Sequence, residues 1–337
     1  MKTPFQKIFI IITASIFGVL SFATQLKPES ENNFPQKMLV TVPIADVRDK
    51  PKINKNASYE TLDWEQVTQV IYGEKIVAYE KRNGWLRIKT PEQKICVKEK
   101  WYECAGWINE SHVTPVKEFP KYNLIVKEPS CTIFEQKKKN KQTVIAVSIG
   151  TQLQGTKYHN KFWEIKLPNG KIGSVEDNNV YDIYSWKKRN SKLLRKSILH
   201  TAHLFLNSPY LWGGRSFYNK NLKNQLSSSD CSGLVDLCHK IHGIELPRNS
   251  RSQYIKSKKI YRRPNPGDLI FLSRSNKLKD IYHVMIYIGH DKIIEAKGNN
   301  VRKIRMTTGK KELGKQIKKI TSGEKIQNDF VYFGTYL

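Results

Sequence analysis

The sequence is organised around one short run, Ser229-Asp230-Cys231-Ser232-Gly233-Leu234-Val235. Serine and aspartate often begin helices, and the apolar residues that follow have helical spacing, so we predict a helix that stops at Gly243. Cys231 then lies in the first turn, where unpaired N–H groups and the helix dipole favour negative charge. Because the thiolate is the nucleophilic form of cysteine, Cys231 is a candidate nucleophile. The alternative is a cysteine that is simply part of the core.

The start of the 337-residue chain has the pattern of a secretory signal. Lys2 and Lys7 form a basic end, residues 8–22 are uncharged and largely apolar, and Ser21-Phe22-Ala23 is a small-x-small cleavage site. The apolar run is shorter than the roughly 20 residues that a spanning helix needs. We expect cleavage after Ala23, export to the periplasm or beyond, and a mature protein without an integral membrane segment.

The formal net charge of +28 has three possible explanations. It could serve nucleic-acid binding, attraction to an anionic polymer such as a carboxylate-rich cell wall, or only reflect compositional bias. The densest lysine and arginine runs, at 137–139 and 187–189, fall in an expected turn and an expected linker. Export argues against an intracellular nucleic-acid role, so we expect no nucleic-acid partner.

Five cysteines in an exported chain raise the question of disulfides. Cys96 and Cys104 flank a run that could form a hairpin tip, and we predict a disulfide between them. Cys131 stands alone in its segment, and we expect Cys238 to be buried on the Cys231 helix. The odd count leaves at least one thiol unpaired, and Cys231 must be free if it is a nucleophile.

The chain divides into segments of different pattern. Residues 24–36 have no periodicity and are predicted to be a linker, whereas residues 37–117 and 121–184 contain short strand-like runs between turns. A turn, a tryptophan near Ile-Lys, and then a glycine before a strand recur in both at a spacing of roughly 70 to 80 residues. This repetition predicts two small β-barrels. Residues 190–337 form the third segment.

A histidine and a glutamate in the third segment complete a possible catalytic group. His283 lies near the start of an alternating strand, where its ring could take the proton of Cys231. Glu295 lies on the next strand, across a hairpin that turns at His290-Asp291, and could orient the imidazole. A cysteine-bearing helix followed by histidine-bearing antiparallel strands is the order of parts in α+β, papain-like folds.

Two further pairs of histidines are candidates for a metal site. His200 and His203 lie three residues apart on a helix predicted from Asn190 to about Leu206, and His239 and His242 do so on the Cys231 helix. Neither pair has a third ligand placed nearby, so solvated helix faces are the favoured interpretation over zinc. We expect no metal and no organic cofactor.

Five motifs in order resemble the NlpC family of papain-like cell-wall cysteine peptidases. They are Tyr210-Leu211-Trp212-Gly213-Gly214, Asp230-Cys231-Ser232-Gly233, the Leu-Pro-Arg-x-Ser-x-x-Gln of residues 246–253, Pro266-Gly267-Asp268-Leu269, and the His-Val-x-Ile-Tyr-x-Gly of residues 283–289. The resemblance implies that Cys231 is the nucleophile and His283 the general base and acid. It also implies that Tyr210 and the backbone N–H of Cys231 stabilise the oxyanion.

The resemblance also supplies candidates for substrate binding, and it has one departure. It implies that Asp230 and Ser232 bind the peptide stem, and Trp212 is a further candidate, although such aromatics are more often part of a core. Where the family usually has a third histidine, this chain has Glu295. A carboxylate can also orient an imidazole, so the departure is compatible with activity.

The first predicted barrel strengthens the resemblance. Residues 42–48 and 68–74 are similar to the bacterial Src-homology-three-like barrel that precedes the γ-D-glutamyl-diamino-acid peptidases of this family. That barrel borders the cleft and recognises a free N-terminal L-alanine. Glu74 fits the ammonium-binding carboxylate by position. The family also uses a tyrosine, but counting places Cys104 there and makes Tyr102, two residues earlier, only a candidate.

These observations predict an exported, wall-associated cysteine endopeptidase. It would hydrolyse the γ-D-glutamyl–diamino acid bond of peptidoglycan stem peptides that have a free N-terminal L-alanine. One alternative is a wall amidase or transpeptidase with the same catalytic parts. The other is a catalytically inactive protein that binds peptidoglycan, which only the glutamate at position 295 favours.

Overall fold

A computed structural model describes residues 34–136, 141–158, 161–184, 189–222 and 225–337. The expected signal and its cleavage site, most of the predicted linker, and the basic runs at 137–139 and 187–188 lie outside these residues. Residues 34–337 pack as one unit. Within the described ranges, no helix is both long and apolar enough to span a membrane.

The first predicted barrel corresponds to a seven-stranded antiparallel sheet with the order β3-β2-β6-β5-β4-β1-β7. Apolar residues alternate along its strands, as in β5, where Leu86 and Ile88 point into the core and Arg87 points to solvent. The strands are β1 (Gln36–Val40), β2 (Ile44–Arg48), β3 (Gln66–Ile71), β4 (Lys75–Arg82), β5 (Trp85–Val97), β6 (Lys100–Asn109) and β7 (Val113–Pro115).

The next seven strands form a second sheet with the order β10-β9-β13-β12-β11-β8-β14. Each of these strands occupies the position of the strand seven places earlier in the first sheet, so the two sheets have the same topology. The strands are β8 (Leu124–Val126), β9 (Ser130–Gln136), β10 (Lys141–Ser148), β11 (Gln152–Tyr158), β12 (Phe162–Lys166), β13 (Ile172–Glu176) and β14 (Val180–Asp182).

The third segment packs helices against a third sheet with the order β15-β21-β16-β17-β18-β19, in which β20 also pairs with β21. Its helices are α1 (Ser191–Leu204), α2 (Cys231–Lys240), α3 (Ser250–Lys256) and α4 (Gly309–Leu313). Its strands are β15 (Lys258–Ile260), β16 (Leu269–Ser273), β17 (Ile281–Gly289), β18 (Lys292–Lys297), β19 (Lys303–Thr308), β20 (Glu324–Ile326) and β21 (Asp329–Thr335).

Helix α2 is the buried centre of this segment. The Asp230 side chain caps it by accepting a hydrogen bond from the backbone N–H of Gly233 at 2.7 Å. A Cβ atom at Gly233 would lie 2.2 Å from the carbonyl oxygen of Gly214, so only glycine allows this close approach. Residues 232–240 are all buried, and this burial holds Cys231, the first residue of the helix, in a defined position.

The predicted disulfide between Cys96 and Cys104 is wrong, because all five cysteines are free. The two residues do lie on the two strands of the β5–β6 hairpin. However, the register pairs Cys96 with Trp101 and Cys104 with Thr90, so they occupy different levels of the ladder. Directly opposed positions are needed to bring two sulfur atoms into bonding range.

One of the two histidine pairs also differs from the expectation. His200 and His203 are exposed on α1, as predicted, but His239 and His242 are buried. The reason is that α2 is surrounded by protein on all sides, so the end of this helix has no solvated face. No group of three or more potential metal ligands occurs among the residues that the structure describes.

Candidate active site

A cleft of about 780 Å³ lies where the first sheet meets the third segment. The loop before β3, together with β3, β5 and β6, forms one wall with Leu62, Trp64, Gln66, Val67, Ile95 and Cys104. The start of α2 and its flanking loops supply the floor with Tyr210, Trp212, Asp230, Cys231, Ser232 and Arg248. The third sheet supplies the other wall with Leu272, Arg274, Tyr282, His283, Lys297 and Asp329.

Cys231 and His283 meet in the middle of this cleft. Cys231 is partly exposed, whereas the other four cysteines are buried. The Nε2 atom of His283 lies 2.8 Å from Oε2 of Glu295, and the same ring is hydrogen-bonded to Cys231. Because the carboxylate occupies Nε2, Nδ1 is the ring nitrogen left for Cys231.

The surroundings of His283 favour its protonated form. Burial lowers the pKa of His283, but the hydrogen bonds to Cys231 and Glu295, together with the negative charges of both, outweigh burial and raise this pKa to about 10. The ring therefore carries its proton at neutral pH. The geometry therefore sets a charged imidazole beside the sulfur of Cys231, which is the arrangement that a cysteine nucleophile uses.

The Glu295 carboxylate is held from both sides. Its Oε1 atom accepts hydrogen bonds from Nε and Nη2 of Arg305 at 3.0 and 2.8 Å, and Arg305 also pairs with Glu312. Burial raises the pKa of Glu295, but its contacts with His283 and Arg305 outweigh burial and hold this pKa below its usual range. Glu295 is therefore a fixed, ionised acceptor for His283.

Tyr210, the candidate oxyanion donor, lines the cleft. Burial and the charges of Cys231 and Asp230 raise the pKa of its hydroxyl, so the group stays protonated and can donate a hydrogen bond. Gly298 packs against the ring, where an added Cβ would lie 3.1 Å from the nearest ring carbon. The structure thus places a donor and the N-terminus of α2 on the same side of the cleft.

Asp230, Ser232 and Trp212 also line the cleft. The Asp230 carboxylate accepts from both terminal nitrogens of Arg248, at 3.1 and 2.7 Å, and from the Ser232 hydroxyl at 2.9 Å. Trp212 packs edge-to-face against Trp64, which lies in the loop before β3, with ring centroids 4.4 Å apart. These contacts join the helix start to the wall that the first sheet provides.

The structure contradicts the prediction that Glu74 binds a substrate ammonium group. Glu74 is 4% exposed and does not line the cleft. Its Oε1 atom is 2.6 Å from Nη1 of Arg215 and 3.0 Å from Nζ of Lys240. Two buried cations of the third segment therefore already neutralise this carboxylate. Glu74 joins the first sheet to the third segment instead.

Tyr102 is also misplaced by the prediction. Its side chain is 51% exposed near the tip of the β5–β6 hairpin, and it does not line the cleft. Cys104, the residue that counting placed at the family's tyrosine position, does line the cleft. Residues two apart on a strand point to the same face, so Tyr102 and Cys104 differ in their level along β6, and only the level of Cys104 reaches the cleft.

We expect Glu74→Gln to lower the free energy of unfolding by about 3 to 5 kcal/mol, because Arg215 and Lys240 would stay buried without a counter-charge. Burial raises the pKa of Glu74, but the two cations outweigh it and lower the pKa to about 2. A carboxylate with a lowered pKa stabilises the fold fully above its ordinary pKa of 4.5 and loses this effect as the pH falls toward 2.

Urea denaturation of wild type and variant between pH 3 and 7 measures this difference. The matched control is Glu118→Gln, which removes an exposed carboxylate paired with Lys37 and should change stability by less than about 0.5 kcal/mol. Equal effects of the two substitutions would contradict a buried ionic junction at Glu74.

Several residues of the site were not predicted from the sequence. Trp64 contacts Trp212 from a loop that is distant in the sequence. Arg305 contacts Glu295 from the neighbouring strand. Arg305 stands directly opposite Glu295 in the β18–β19 ladder. Opposite charges on two neighbouring strands could have predicted this contact, but only if the strand register had been known.

This arrangement is that of a cysteine peptidase: a cysteine at the start of a buried helix faces a histidine and a carboxylate on an antiparallel sheet. Residues 207–326 match the NlpC/P60 family, and the chain therefore contains an NlpC/P60 domain. This match confirms the resemblance inferred from the five motifs.

The chain is similar to two bacterial enzymes named γ-D-glutamyl-L-lysine dipeptidyl-peptidase. The one from Bacillus cereus is 25% identical over 235 residues, which cover 68% of this chain and 66% of that enzyme. The one from Bacillus subtilis is 23% identical over 231 residues, which cover 68% of this chain and 71% of that enzyme. The chain thus spans about two thirds of the length of these relatives.

The fold is also similar to a crystal structure of an NlpC/P60 family protein from Bacillus cereus. The TM-score is 0.71 at 20% sequence identity, and the match covers 89% of this chain and 99% of that structure. The similarity therefore includes the two N-terminal sheets as well as the third segment.

Proposed function

We propose that this protein is a cysteine endopeptidase that hydrolyses the γ-D-glutamyl–diamino acid bond of peptidoglycan stem peptides. The observation that carries the proposal is the Cys231–His283–Glu295 array at the centre of a cleft lined by the first sheet. The names of the two Bacillus relatives support the choice of bond. The two N-terminal sheets are, in this proposal, bacterial Src-homology-three-like barrels at residues 37–117 and 121–184, ahead of a papain-like domain at 190–337.

The mechanism uses groups that the cleft already contains. The Cys231 thiolate attacks the γ-carbonyl carbon of D-glutamate, and the oxyanion accepts hydrogen bonds from the Cys231 N–H and the Tyr210 hydroxyl. The intermediate then expels the amine of the diamino acid, which takes the His283 proton, and a thioester remains. A water gives a proton to His283, attacks the thioester carbon and releases the acid and the thiolate.

A free amine on the substrate fits the wall formed by the first sheet. Trp64 reaches Trp212, and the backbone of Gln66 lies so close to Gly213 that a Cβ there would be 2.7 Å from its carbonyl oxygen. The first sheet therefore limits the space beyond Asp230 and Ser232. In the proposal, this end accepts a short peptide terminus such as L-alanyl-γ-D-glutamate and excludes a stem that is still joined to glycan.

The signal pattern of residues 1–23 and the charge of +28 complete the proposal. They are consistent with a protein that is exported and that associates with an anionic cell wall.

A digest of defined stem peptides tests the proposed bond and the need for a free amine. The wild-type protein should release L-alanyl-γ-D-glutamate from tripeptide and tetrapeptide stems, as measured by mass spectrometry. N-acetylated stems should react at least about tenfold more slowly, because the acyl group removes a charge and adds bulk at the closed end. On a muramyl tripeptide included as a third substrate, cleavage at the lactyl–alanine bond would favour an amidase. New peptide bonds in any of the digests would favour a transpeptidase. Binding of stems without any turnover would favour the inactive alternative.

A further inference from the structure

Resting on the proposed function, we propose that Arg274, Tyr282 and Asp329 form a binding site for the leaving group of the reaction. The site would take a diamino acid residue that carries both a carboxylate and an ammonium group, with the carboxylate on Arg274 and the ammonium on Asp329. All three residues line the same cleft as Cys231.

The position of Tyr282 places this site on the leaving-group side. The Tyr282 ring stacks on the His283 ring with centroids 6.3 Å apart and an interplanar angle of 27°. His283 must come within hydrogen-bond distance of the amine that it protonates, so the departing residue lies beside His283. The first sheet instead borders the opposite end, near Asp230 and Trp212.

Arg274 supplies the positive charge of this site. Its guanidinium lies over the Tyr282 ring, 5.1 Å from the centroid, and its side chain is exposed. The other cleft cations are already engaged: Arg248 pairs with Asp230 and Lys297 with Glu312. Within the part of the chain that the structure describes, Arg274 pairs with no carboxylate. A planar guanidinium held on an aromatic face is suited to bind a carboxylate with two hydrogen bonds.

Asp329 is the complementary carboxylate. Its Oδ2 atom accepts the Tyr282 hydroxyl at 2.9 Å, and no lysine or arginine of the described ranges pairs with it. Asp230 and Glu312, the other two cleft carboxylates, are both neutralised by cations. Tyr282 thus separates an unpaired positive group above its ring from an unpaired negative group at its hydroxyl.

Two kinds of leaving group carry both charges. A diaminopimelate-type residue has an ammonium and a carboxylate together at the end of its side chain. A C-terminal lysine has its ammonium on the side chain and its carboxylate on the main chain. The chemistry that Arg274 and Asp329 recognise is the same, so the test must separate the two sources.

The experiment measures kcat and KM on three peptides for wild type, Arg274→Gln and Asp329→Asn. The peptides are L-alanyl-γ-D-glutamate joined to meso-diaminopimelate, to lysine, and to lysine amide. Arg274→Gln should raise KM for the diaminopimelate peptide by about 10- to 100-fold, because one charged hydrogen-bonded contact with the substrate is lost. The same substitution should leave kcat within about threefold of the wild-type value. Asp329→Asn should raise KM for all three peptides. Arg263→Gln is the matched control, since Arg263 is exposed outside the cleft, and it should change nothing.

The lysine peptides identify the carboxylate. If Arg274 binds a side-chain carboxylate, Arg274→Gln leaves both lysine peptides unchanged. If it binds the main-chain carboxylate, the lysine peptide is affected and its amide is not. If Arg274→Gln affects all three peptides equally, or affects none of them, the inference is overturned. Turnover by the wild type would still support the proposed function. If the wild type cleaves none of the peptides, the proposed function fails. In that case, calorimetry measures how tightly wild type and Arg274→Gln bind the same peptides. If the two proteins bind equally well, the proposed leaving-group site is also refuted.

Discussion

Cys231→Ala is expected to lower kcat on a stem peptide by roughly 10⁴-fold or more, because removal of a nucleophile from a catalytic unit abolishes the covalent pathway. No other thiol can take its place, since Cys96, Cys104, Cys131 and Cys238 are each at most 3% exposed. Turnover is measured as release of the diamino acid from the tripeptide. Thermal denaturation should show that the variant folds, because Cys231 is only partly buried.

Thiol labelling gives this prediction a second readout. In the native protein, iodoacetamide at mildly acid pH should modify one cysteine, and in Cys231→Ala none, whereas all remaining thiols react after denaturation. Cys131→Ala, in the second sheet, is the matched control and should keep both full turnover and the single label. Retained hydrolysis by Cys231→Ala would refute the mechanism. An unlabelled Cys231 in active protein would contradict the proposed role of Cys231 as the nucleophile.

Glu295→Gln is expected to reduce kcat/KM by about 10- to 100-fold and to shift the alkaline limit of activity to lower pH. The sign follows from the charge on the ring. The Glu295 carboxylate stabilises the imidazolium of His283, whose pKa is raised to about 10, so replacing the carboxylate with a neutral amide lowers that pKa. His283 then loses its proton at a lower pH, and the leaving amine loses its proton donor there.

A pH–rate profile between pH 5 and 11 on the same tripeptide measures the shift. Glu324→Gln is the control: it removes a carboxylate of the third segment that pairs with Lys315 outside the cleft, and its profile should match the wild type. An unchanged alkaline limit in Glu295→Gln would show that Glu295 does not hold the proton of His283. It would also restore the alternative of an inactive or differently arranged site.

Much of the third segment could be predicted because its signals are local. The Asp230 cap, the helical spacing after it and the glycine at position 243 lie within one short stretch, and the structure has α2 at Cys231–Lys240. The hairpin that joins β17 to β18 turns at His290-Asp291, as the alternating pattern indicated, and the His283 and Glu295 side chains meet across it. Helix caps and hairpin turns depend on neighbouring residues, which a sequence shows directly.

The errors concern contacts between segments far apart in the chain. Glu74 was assigned to the cleft because nothing near it in sequence reveals Arg215 and Lys240, which lie more than 140 residues away. The Cys96–Cys104 pairing failed on the register of one hairpin, which turns at Lys98-Glu99 and therefore places Trp101, not Cys104, opposite Cys96. A register change of one residue reverses which side chains face each other.

The sequence by itself determined the order of elements, the helix that begins at Cys231 and the strands that carry His283 and Glu295, since these follow from short-range periodicity and capping. Only the tertiary structure decided which charges are already paired and which remain open in the cleft. Burial of Glu74 between two cations, the clamp of Arg305 on Glu295 and the unpaired Arg274 all depend on how the sheets pack, because an ion pair forms only where the folded chain brings two side chains within a few ångströms.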